Sequence, residues 1–373
     1  MSCSRLRPFA QNYDWGKLGH DSAVARLVEA GNHGVVIDSA KPYAELWMGD
    51  HPNGPCFVHD GNAEIPIWHY LKSRDSKPMP FLFKVLSVGK ALSIQSHPDA
   101  VLAKQLHAKF PHIYKDPNPK PELAIALTKF KALFGFRPVG EIAAFMKQYP
   151  ALAELVGPSA VAALNASEPG AIKKAYSALM TASPEKIAAT VSAVCQSEAN
   201  ELACELNKQY PGGDVGVLSV FFLNVVDLAP GECLFMGPNV PHAYLSGDII
   251  ECMTSSDNVI RGGLTPKFKD IPTLLSSLDF TSTDRHTRLA PTGGSRWAPP
   301  GVPFAVTKYD LNDKVVELEQ SSAPSIILVT RGAGHIDNLA VHEGSVVLID
   351  ANDKTTVTSR HDISLYHAFD PSN

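Results

Sequence analysis

Two side chains on one short stretch, Gln95 and His97, have the residue types and the spacing of neighbouring metal ligands. Along residues 92–97, apolar residues alternate with polar ones, which is the period of a strand with one apolar and one polar face. Gln95 and His97 therefore point the same way. A carboxamide oxygen and an imidazole nitrogen at this spacing make half of a metal site. The same pair on a solvated strand face would do no chemistry, so the hypothesis depends on finding further ligands.

A further candidate ligand, His242, follows a hairpin-like segment late in the chain. Residues 230–241 contain a Pro-Gly turn, a short strand at 233–236 and a Gly-Pro-Asn turn, and Pro241 restrains the backbone before His242. This segment resembles the second metal motif of the cupin barrels. The G-x5-Q-x-H spacing of the earlier stretch resembles their first motif, G-x5-H-x-H. A histidine after a proline is usually structural, but here the topology directs it toward Gln95.

Two lysines occur where a charged side chain needs an anionic partner. Lys84 interrupts the apolar run at residues 80–86, so it requires a carboxylate, a water-filled pocket or a ligand anion, unless it only protects a strand edge. In the proline-rich segment 116–122, extended backbone places Lys120 and Glu122 on the same side. A glutamate at the start of a strand is commonly exposed, but the lysine beside it favours a ligand-facing pair.

A glycine-flanked loop carries charges that are suited to binding an anion. Asp257, Arg261 and Lys267 lie in this loop, which follows a strand that includes Glu251. The glycines allow the loop to hold a guanidinium rigidly against a phosphate or a carboxylate. The alternative is a surface Asp–Arg pair, which would contribute little to stability.

The composition is that of an ordinary globular protein. The chain has 373 residues, of which 45% are apolar and 19% charged, and its formal net charge is -5. No apolar run approaches the ~20 residues of a spanning helix, and the first residues lack the apolar core of a secretory signal. The six cysteines lack C-x-x-C spacing, which favours reduced thiols. We therefore expect a cytoplasmic protein with no general affinity for nucleic acid or membrane.

Shifts in composition divide the chain into regions. Residues 1–138 and 213–290 show β patterns, residues 139–212 are rich in Ala, Glu, Lys and Leu in helical periodicity, and residues 291–373 repeat the β pattern as a smaller unit. The sequence thus predicts a mainly β fold with a helical insertion. The predicted helices cover residues 98–109, 141–148, 171–180, 184–195 and 199–209, and the predicted strands include residues 44–48, 80–86, 122–127, 217–226, 233–236, 325–334 and 341–350.

Four stretches of the chain resemble the type I phosphomannose isomerases, a family of the cupin superfamily. They are residues 43–51, 92–99, 115–122 and 257–267, and they occur in the order found in that family. The resemblance extends from near the N-terminus to about residue 280, with a looser fit beyond it. It implies two cupin-type (jelly-roll) β-barrels plus an α-helical domain. Residues 1–138 with 213–290 would form the metal-binding catalytic domain, 139–212 the helical domain and 291–373 a C-terminal domain without metal.

The resemblance also implies a site. One zinc ion per chain would be bound by Gln95, His97, Glu122 and His242, although iron, manganese or cobalt could occupy the same ligand set. The loop arginine that the family requires corresponds to Arg261. Where many relatives read Arg-Ala-Gly this chain reads Arg-Gly-Gly, a change that could loosen the loop but keeps the guanidinium.

The implied reaction is an aldose–ketose isomerisation. Mannose 6-phosphate and fructose 6-phosphate would interconvert through a cis-enediol intermediate, which feeds GDP-mannose synthesis and mannose use. The proton-transfer residue stays open among Lys120, Glu251 and Lys84. Arg261, with Lys267 and Ser93, is expected to bind the phosphate or stabilise the enediolate, and Trp15, Glu45, Tyr244 and Asp257 are expected to line the substrate pocket. We expect a monomer whose only partner is a small sugar phosphate.

Two other functions fit parts of the pattern. A mononuclear iron oxygenase could use a metal cupin, but it would more usually carry three histidines or two histidines and one carboxylate, and it does not require the arginine and lysine cluster. A non-catalytic sugar-binding cupin would leave the charged residues around the metal unexplained, because each costs desolvation energy. Metal analysis separates zinc from iron, and a sugar phosphate assay separates an enzyme from a sensor.

Overall fold

The computed structural model describes residues 3–61, 63–196 and 200–372. In this part of the chain the fold is mainly β, with two large antiparallel sheets and a block of packed helices, and none of the helices combines the length and hydropathy needed to cross a bilayer. The strands are β1 Cys3–Arg7, β2 Phe9–Gln11, β3 Lys17–Leu18, β4 Pro42–Tyr43, β5 Glu45–Met48, β6 Phe57–Asp60, β7 Ala63–Pro66, β8 Leu82–Val88, β9 Ile94–Ser96, β10 Glu122–Ala126, β11 Phe130–Phe136, β12 Leu223–Leu228, β13 Cys233–Met236, β14 His242–Met253, β15 Ile260–Gly263, β16 Arg296–Trp297, β17 Ala305–Leu311, β18 Lys314–Glu317, β19 Ser325–Ile336, β20 Leu339–His342, β21 Val346–Ile349, β22 Thr356–Ser359 and β23 Ile363–Phe369. The α-helices are α1 Ala23–Ala30, α2 Ile67–Ser73, α3 Ala100–Lys109, α4 Val139–Gln148, α5 Pro150–Val156, α6 Pro158–Asn165, α7 Ala171–Met180, α8 Pro184–Gln196, α9 Glu201–Gln209, α10 Val215–Leu218 and α11 Ile271–Ser277, and 3-10 helices span Gly19–Asp21 and Ser219–Phe221.

The ten-stranded sheet is built around the long strand β14, which begins at His242 and includes Glu251 near its end. β14 pairs antiparallel with β8, β10 and β11, and its first residue also pairs with β9. Every residue of β14 except Ser246 is buried. The registers place Glu251 opposite Lys84 on β8 and His242 opposite Gln95 on β9. Polar residues that are far apart in the sequence are therefore brought together by strand pairing.

The eleven-stranded sheet joins the two ends of the chain. Its order is β16-β17-β23-β19-β21-β1-β6-β7, with β18, β20 and β22 attached. The first strand, β1, pairs with the C-terminal strand β21 on one side and with β6 on the other, and β6 pairs with β7. Cys3 on β1 lies opposite Ile349 on β21. One apolar core contains side chains of both sheets, including Ile250 on β14 and Leu348 on β21. The two sheets thus share buried surface, which stabilises them jointly.

The helical block, α4–α9, is inserted between β11 and β12 and buries its apolar faces in a core of its own. The helices predicted at residues 141–148, 171–180 and 184–195 are confirmed as α4, α7 and α8. The helix predicted from residue 199 begins at Glu201, where Asn200 accepts a hydrogen bond from the Ala203 amide, and residue 199 lies outside the described residues. The sequence pattern does not predict α5 and α6, because each is a short run that begins at a proline and shows no long period.

The strand predicted at residues 217–226 is wrong over its first half. A short helix, α10, and the 3-10 helix that follows it occupy the positions before Leu223. Asp214 caps α10 by accepting a hydrogen bond from the Gly216 amide. The error arises because a continuous apolar run does not distinguish a buried helix from a buried strand.

The bounds of the other predicted elements agree with the structure within a few residues, and the N-terminal region contains helices that are not predicted. That region, predicted as β-rich, also contains α1 and α2, and α1 is capped by Ser22. The confirmed elements are β5, β8, α3, β10, β13 and β19, and the strand predicted at 341–350 divides into β20 and β21.

Candidate metal centre and active site

Three buried side chains, His97, Glu122 and His242, meet next to β9. His97 follows that strand, and Glu122 and His242 are the first residues of β10 and β14. The Nε2 atoms of His97 and His242 lie 3.3 Å and 3.4 Å from the two carboxylate oxygens of Glu122. One ligand atom from each residue lies within 4.8 Å of the others, so one cation could contact all three.

The two histidine rings are held with their Nε2 atoms toward the space between them. Nδ1 of His97 lies 2.8 Å from the carbonyl oxygen of Asn258, and Nδ1 of His242 lies 2.9 Å from that of Val240. Because a carbonyl oxygen accepts, each Nδ1 carries the proton and each Nε2 presents a lone pair. Among the described residues, neither Nε2 nor Oε2 of Glu122 has a hydrogen-bond partner, although all three atoms are buried. Buried atoms of this kind need a ligand, so the arrangement fits a metal cation.

The electrostatic surroundings favour the protonation states of metal ligands. Burial lowers the pKa of His97, which keeps the imidazole neutral. Burial alone would raise the pKa of Glu122, but the neighbouring His97 and Lys120 hold it well below its usual range. Neutral nitrogens and an ionised carboxylate are the forms that bind a divalent cation.

Gln95 lies on β9 between the strands that carry His242 and Arg261. Its Cα is paired with the Cα atoms of both residues. Its side chain lines the cavity described next, and its Oε1 accepts a hydrogen bond of 3.4 Å from the Ser93 hydroxyl. A neutral oxygen is thus available beside the three buried ligand groups.

A cavity of about 700 Å³ lies next to the three buried groups. Twelve of the fourteen site residues expected from the sequence line it, and the other two, His97 and His242, are buried and do not. The strand pairings therefore bring the expected set together in one place. The lining members of the set are Trp15, Glu45, Lys84, Ser93, Gln95, Lys120, Glu122, Tyr244, Glu251, Asp257, Arg261 and Lys267.

Lys84 is the centre of a buried charge cluster in the cavity wall. Its Nζ lies 3.2 Å from Oε2 of Glu45 and 3.3 Å from Oε2 of Glu251. The Trp47 indole donates to Oε2 of Glu45 at 2.6 Å, and its ring lies 4.9 Å from Nζ of Lys84. The Tyr244 hydroxyl donates to Oε1 of Glu251 at 2.9 Å. The apolar run around Lys84 is therefore compatible with a charge because two carboxylates pair with it.

The surroundings shift the pKa values of the ionisable groups in this cluster. Burial alone would lower the pKa of Lys84, but Glu45 and Glu251 raise it above its ordinary value. Burial and the nearby Glu122 raise the pKa of Glu251. Burial and Glu251 also raise the pKa of Tyr244, so its hydroxyl remains a donor. A lysine that is held charged cannot accept a proton, whereas a carboxyl group with a raised pKa is better matched to taking and returning one.

Lys120 lies in a loop that is fixed to the loop following β14. Its Nζ lies 3.4 Å from Oε1 of Glu122. The Asn258 side chain donates to the carbonyl oxygens of Asp116 and Asn118 at 2.7 Å and 2.9 Å. The carbonyl of Asn258 is also the group that orients His97, so one residue links the Lys120 loop to the metal centre.

His51 and Trp47 also line the cavity, although neither is among the site residues expected from the sequence. His51 Nε2 lies 3.3 Å from Oδ1 of Asp257, and its Nδ1 accepts a hydrogen bond from the Asn53 amide. The hydrogen bond from His51 lowers the pKa of Asp257. The rings of His51 and Trp47 pack edge to face at 5.0 Å. Trp47 shares a strand face with Glu45 at period two, a pattern from which its place could have been predicted.

Arg261 presents a cation to the cavity that no carboxylate among the described residues neutralises. In the described part of the chain, its guanidinium takes part in no hydrogen bond or ion pair. Burial lowers its pKa, but an arginine remains charged. The backbone beyond it is fixed, since Asp214 accepts a hydrogen bond of 2.7 Å from the Leu264 amide. Gly262, where a looser loop is expected, lies in β15, and a Cβ there would come within 2.7 Å of the Leu274 side chain.

Three other expected residues complete the wall. Ser93 and Trp15 are half-buried, and Trp15 stacks on Tyr13 with ring centres 5.9 Å apart. Lys267 is exposed at the rim, and its amide donates to the Thr265 hydroxyl at 3.1 Å. The cavity thus has an aromatic wall and a cationic rim.

Comparison with known proteins gives matches over the whole chain. The family model described as "Phosphomannose isomerase type I, catalytic domain" matches residues 3–139. A "Mannose-6-phosphate isomerase" of Schizosaccharomyces pombe is 40% identical over 410 residues, covering 98% of this chain and 99% of that protein. A "Probable mannose-6-phosphate isomerase" of Echinococcus multilocularis is 41% identical over 383 residues, covering 89% of this chain and 88% of that protein.

Solved structures give the same result. A zinc-bound mannose 6-phosphate isomerase superposes with a TM-score of 0.85 at 29% identity, over 99% of this chain and 100% of that one. The Salmonella typhimurium enzyme, in a structure bound to fructose 6-phosphate and zinc, has the same TM-score, identity and coverage.

Proposed function

Because the chain belongs to the family of type I phosphomannose isomerases, we propose that the cavity beside His97, Glu122 and His242 is where it interconverts mannose 6-phosphate and fructose 6-phosphate. The chain is a zinc-dependent mannose-6-phosphate isomerase. One observation carries the assignment of the site: three buried ligand atoms that have no hydrogen-bond partner among the described residues adjoin a cavity that also contains Arg261. Such an arrangement offers a metal site and an anion-binding group together.

The proposed zinc ligands are Gln95, His97, Glu122 and His242, with one ion per chain. Imidazole nitrogens and carboxylate oxygens are ordinary zinc ligands, and Gln95 adds a neutral oxygen. Zinc bound there would polarise the sugar oxygens and offset the negative charge that develops during the reaction. The fixed Nδ1 protons of both histidines support this ligand set.

The proton that moves between C1 and C2 of the open sugar needs a group that takes it from one carbon and returns it to the other. We assign this transfer to Glu251, which lines the cavity and has a raised pKa. Lys84 is assigned the role of fixing Glu251 in place as its charged partner, because its Nζ contacts two carboxylates. Lys120, whose Nζ contacts Glu122, is assigned the role of binding the sugar hydroxyls.

We assign to Arg261 the role of binding the phosphate or stabilising the enediolate. Lys267 at the rim and the Ser93 hydroxyl would assist it. The Arg261 guanidinium has no carboxylate partner in the described ranges, which supports this role. Trp15, Tyr244, Glu45 and Asp257 are assigned to the shape of the substrate pocket, where all of them line the wall.

The cations around the metal centre also favour an isomerase of sugar phosphates over a mononuclear iron oxygenase, which does not require them. They equally disfavour a non-catalytic sugar-binding protein, in which buried charges such as Lys84 would cost desolvation without a role.

For the architecture we propose two cupin-type (jelly-roll) β-barrels and an α-helical domain. Residues 1–138 with 213–290 would form the catalytic domain, 139–212 the helical domain and 291–373 the C-terminal domain, which pairs with β1 and, through β1, with β6 and β7 of the N-terminal region. A cytoplasmic monomer is proposed as well, and six cysteines without disulfides are compatible with a reducing compartment. Gel filtration with light scattering tests the monomer.

The function is tested by measuring conversion of mannose 6-phosphate to fructose 6-phosphate before chelation, after chelation and after zinc is restored. We expect activity to be lost with the metal and regained with zinc. Restoration by ferrous iron alone, or dioxygen consumption with a sugar, would favour the oxygenase. A zinc-loaded, folded protein without isomerase activity would overturn the proposal.

A further inference from the structure

One lysine in the cavity wall, Lys90, has not been assigned a role in the proposed reaction. It lies in the turn before β9, and its half-buried side chain contributes to the cavity wall. Lys84 and Lys120 are paired with carboxylates, but among the described residues no carboxylate lies within 4.0 Å of the Lys90 ammonium group. A charge in a cavity wall without a protein counter-ion is suited to binding an anionic ligand.

Two residues at the end of α9, Gln209 and Tyr210, hold the turn that carries Lys90. Oε1 of Gln209 accepts a hydrogen bond of 2.8 Å from the Ala91 amide, and the Tyr210 hydroxyl donates to the Ala91 carbonyl at 2.5 Å. Nζ of Lys90 lies 4.4 Å from the centre of the Tyr210 ring. The helical block therefore contacts both the backbone beside Lys90 and its ammonium group.

The backbone of this turn is fixed on its other side by the ten-stranded sheet and the N-terminal segment. The amides of Gly89 and Lys90 both donate to the Trp15 carbonyl at 2.9 Å, and the Leu92 amide donates to the Tyr244 carbonyl at 2.8 Å. With the Ala91 amide bound by α9, every amide from residue 89 to residue 92 has an acceptor. The Cα of Lys90 thus has a defined position relative to β9, which carries Gln95.

The contact with Tyr210 orients the ammonium group and leaves it able to bind. An ammonium group against an aromatic face keeps N–H donors for other acceptors, because the ring attracts the charge as a whole. Burial raises the pKa of Tyr210 to about 12, so its hydroxyl stays protonated and keeps its hydrogen bond to Ala91. Phosphate oxygens are strong acceptors that match these donors.

We propose that Lys90 binds the phosphate group of the sugar substrate, and that Gln209 and Tyr210 are the residues that position it. This inference rests on the proposed function and extends it, because it gives the helical block a part in substrate recognition. Lys90 would act together with Arg261, which lines the same cavity.

The test is calorimetric binding of inorganic phosphate and of fructose 6-phosphate to the zinc-loaded, full-length protein, with unphosphorylated fructose for comparison. Lys90→Met should weaken both phosphate-containing ligands by about 10-fold or more, the loss expected for a hydrogen bond to a charged group. Fructose binding and zinc content should stay unchanged. Lys173→Met is the matched control, since Lys173 also faces an aromatic ring, at 5.6 Å from Phe280, but does not line the cavity.

A double-mutant cycle tests the positioning role of Tyr210. Tyr210→Leu should weaken phosphate binding in the native background and add little in the Lys90→Met background, because both changes remove one interaction. Tyr210→Phe, which keeps the ring, should give a smaller loss and guards against misfolding of the leucine variant. Equal losses in both backgrounds would overturn the positioning role.

The binding measurement tests the role of Lys90 separately from the proposed function, because ligand binding can be measured without turnover. Lys90→Met protein that binds inorganic phosphate as tightly as the native protein would overturn the inference, even where native turnover is normal. Native protein that binds phosphate through Lys90 but does not isomerise the sugar would overturn the function and leave the binding site standing.

Discussion

Replacing Lys84 by methionine should destabilise the folded protein by about 3–5 kcal/mol, because it leaves two buried carboxylates without their shared cation. The Nζ atom lies 3.2 Å and 3.3 Å from Glu45 and Glu251, whose side chains are only 10% and 4% exposed. At that exposure, water in the cavity compensates for only part of the lost partner. Methionine keeps the apolar stem of the side chain, so lost packing contributes little and the loss of charge dominates.

The destabilisation should depend on pH in a defined direction. The pKa of Glu251 is already raised by burial, and without the Lys84 ammonium group its carboxyl group is neutralised by a proton that the unfolded chain releases at the ordinary glutamate pKa. The folded variant then binds more protons than the unfolded chain, so its free energy of unfolding falls as pH rises, by about 1.4 kcal/mol per pH unit for each proton retained. In the native protein the pKa of Lys84 is raised, so its contribution is present below the usual lysine range and is lost only at higher, alkaline pH.

The assay is urea unfolding at pH 6 and pH 8 with saturating zinc. Lys131→Met is the control, because Lys131 and Asp227 form an exposed pair at 4.0 Å, and its removal should cost between 0 and about 1 kcal/mol at either pH. The double variant Lys84→Met with Glu251→Gln should recover part of the lost stability. A loss below about 1 kcal/mol for Lys84→Met, equal at both pH values, would refute the reasoning about buried charge.

Three further substitutions test the metal centre and the assigned roles. His97→Ala should lose both zinc and turnover, and an active, metal-free variant in elemental analysis would remove the mechanism. Arg261→Ala should keep zinc and lower kcat/KM by roughly 10²- to 10³-fold, as removal of a charge-stabilising donor does; unchanged kinetics would exclude its role. Glu251→Gln should keep zinc and lower kcat by about 10²- to 10⁴-fold. A rise in KM with an unchanged kcat would instead indicate a role in substrate binding.

The individual strands of the site could be predicted from the sequence, but their pairing could not. The alternation at residues 92–97 predicts that Gln95 and His97 share a face, because the period of a strand is local. The approach of His242 to Gln95 depends on a register between positions 147 residues apart, which no local pattern specifies. The resemblance to a known family supplied the expected ligand set, and the structure brings its members together.

The partners of Lys84 show the same limit. A charge in an apolar run predicts that a counter-ion exists, since the uncompensated charge would be too costly. It does not predict that Glu45 and Glu251 provide it from the strands on either side of β8. The place of His51 in the site could not be predicted for a related reason. Its contact with Asp257 joins two loops, and the pairing of the strands in the sheets brings these loops together.

The pairing of β1 with β21 has a consequence for synthesis on the ribosome. One edge of β1 can pair with β6 early, but the other edge waits for residues 346–349. At 5–20 residues per second, that wait lasts roughly 20–70 s. During that time the nascent chain exposes an open strand edge, which is a template for pairing with other chains. The N-terminal strand is therefore where we expect chaperone dependence during translation and aggregation of truncated chains.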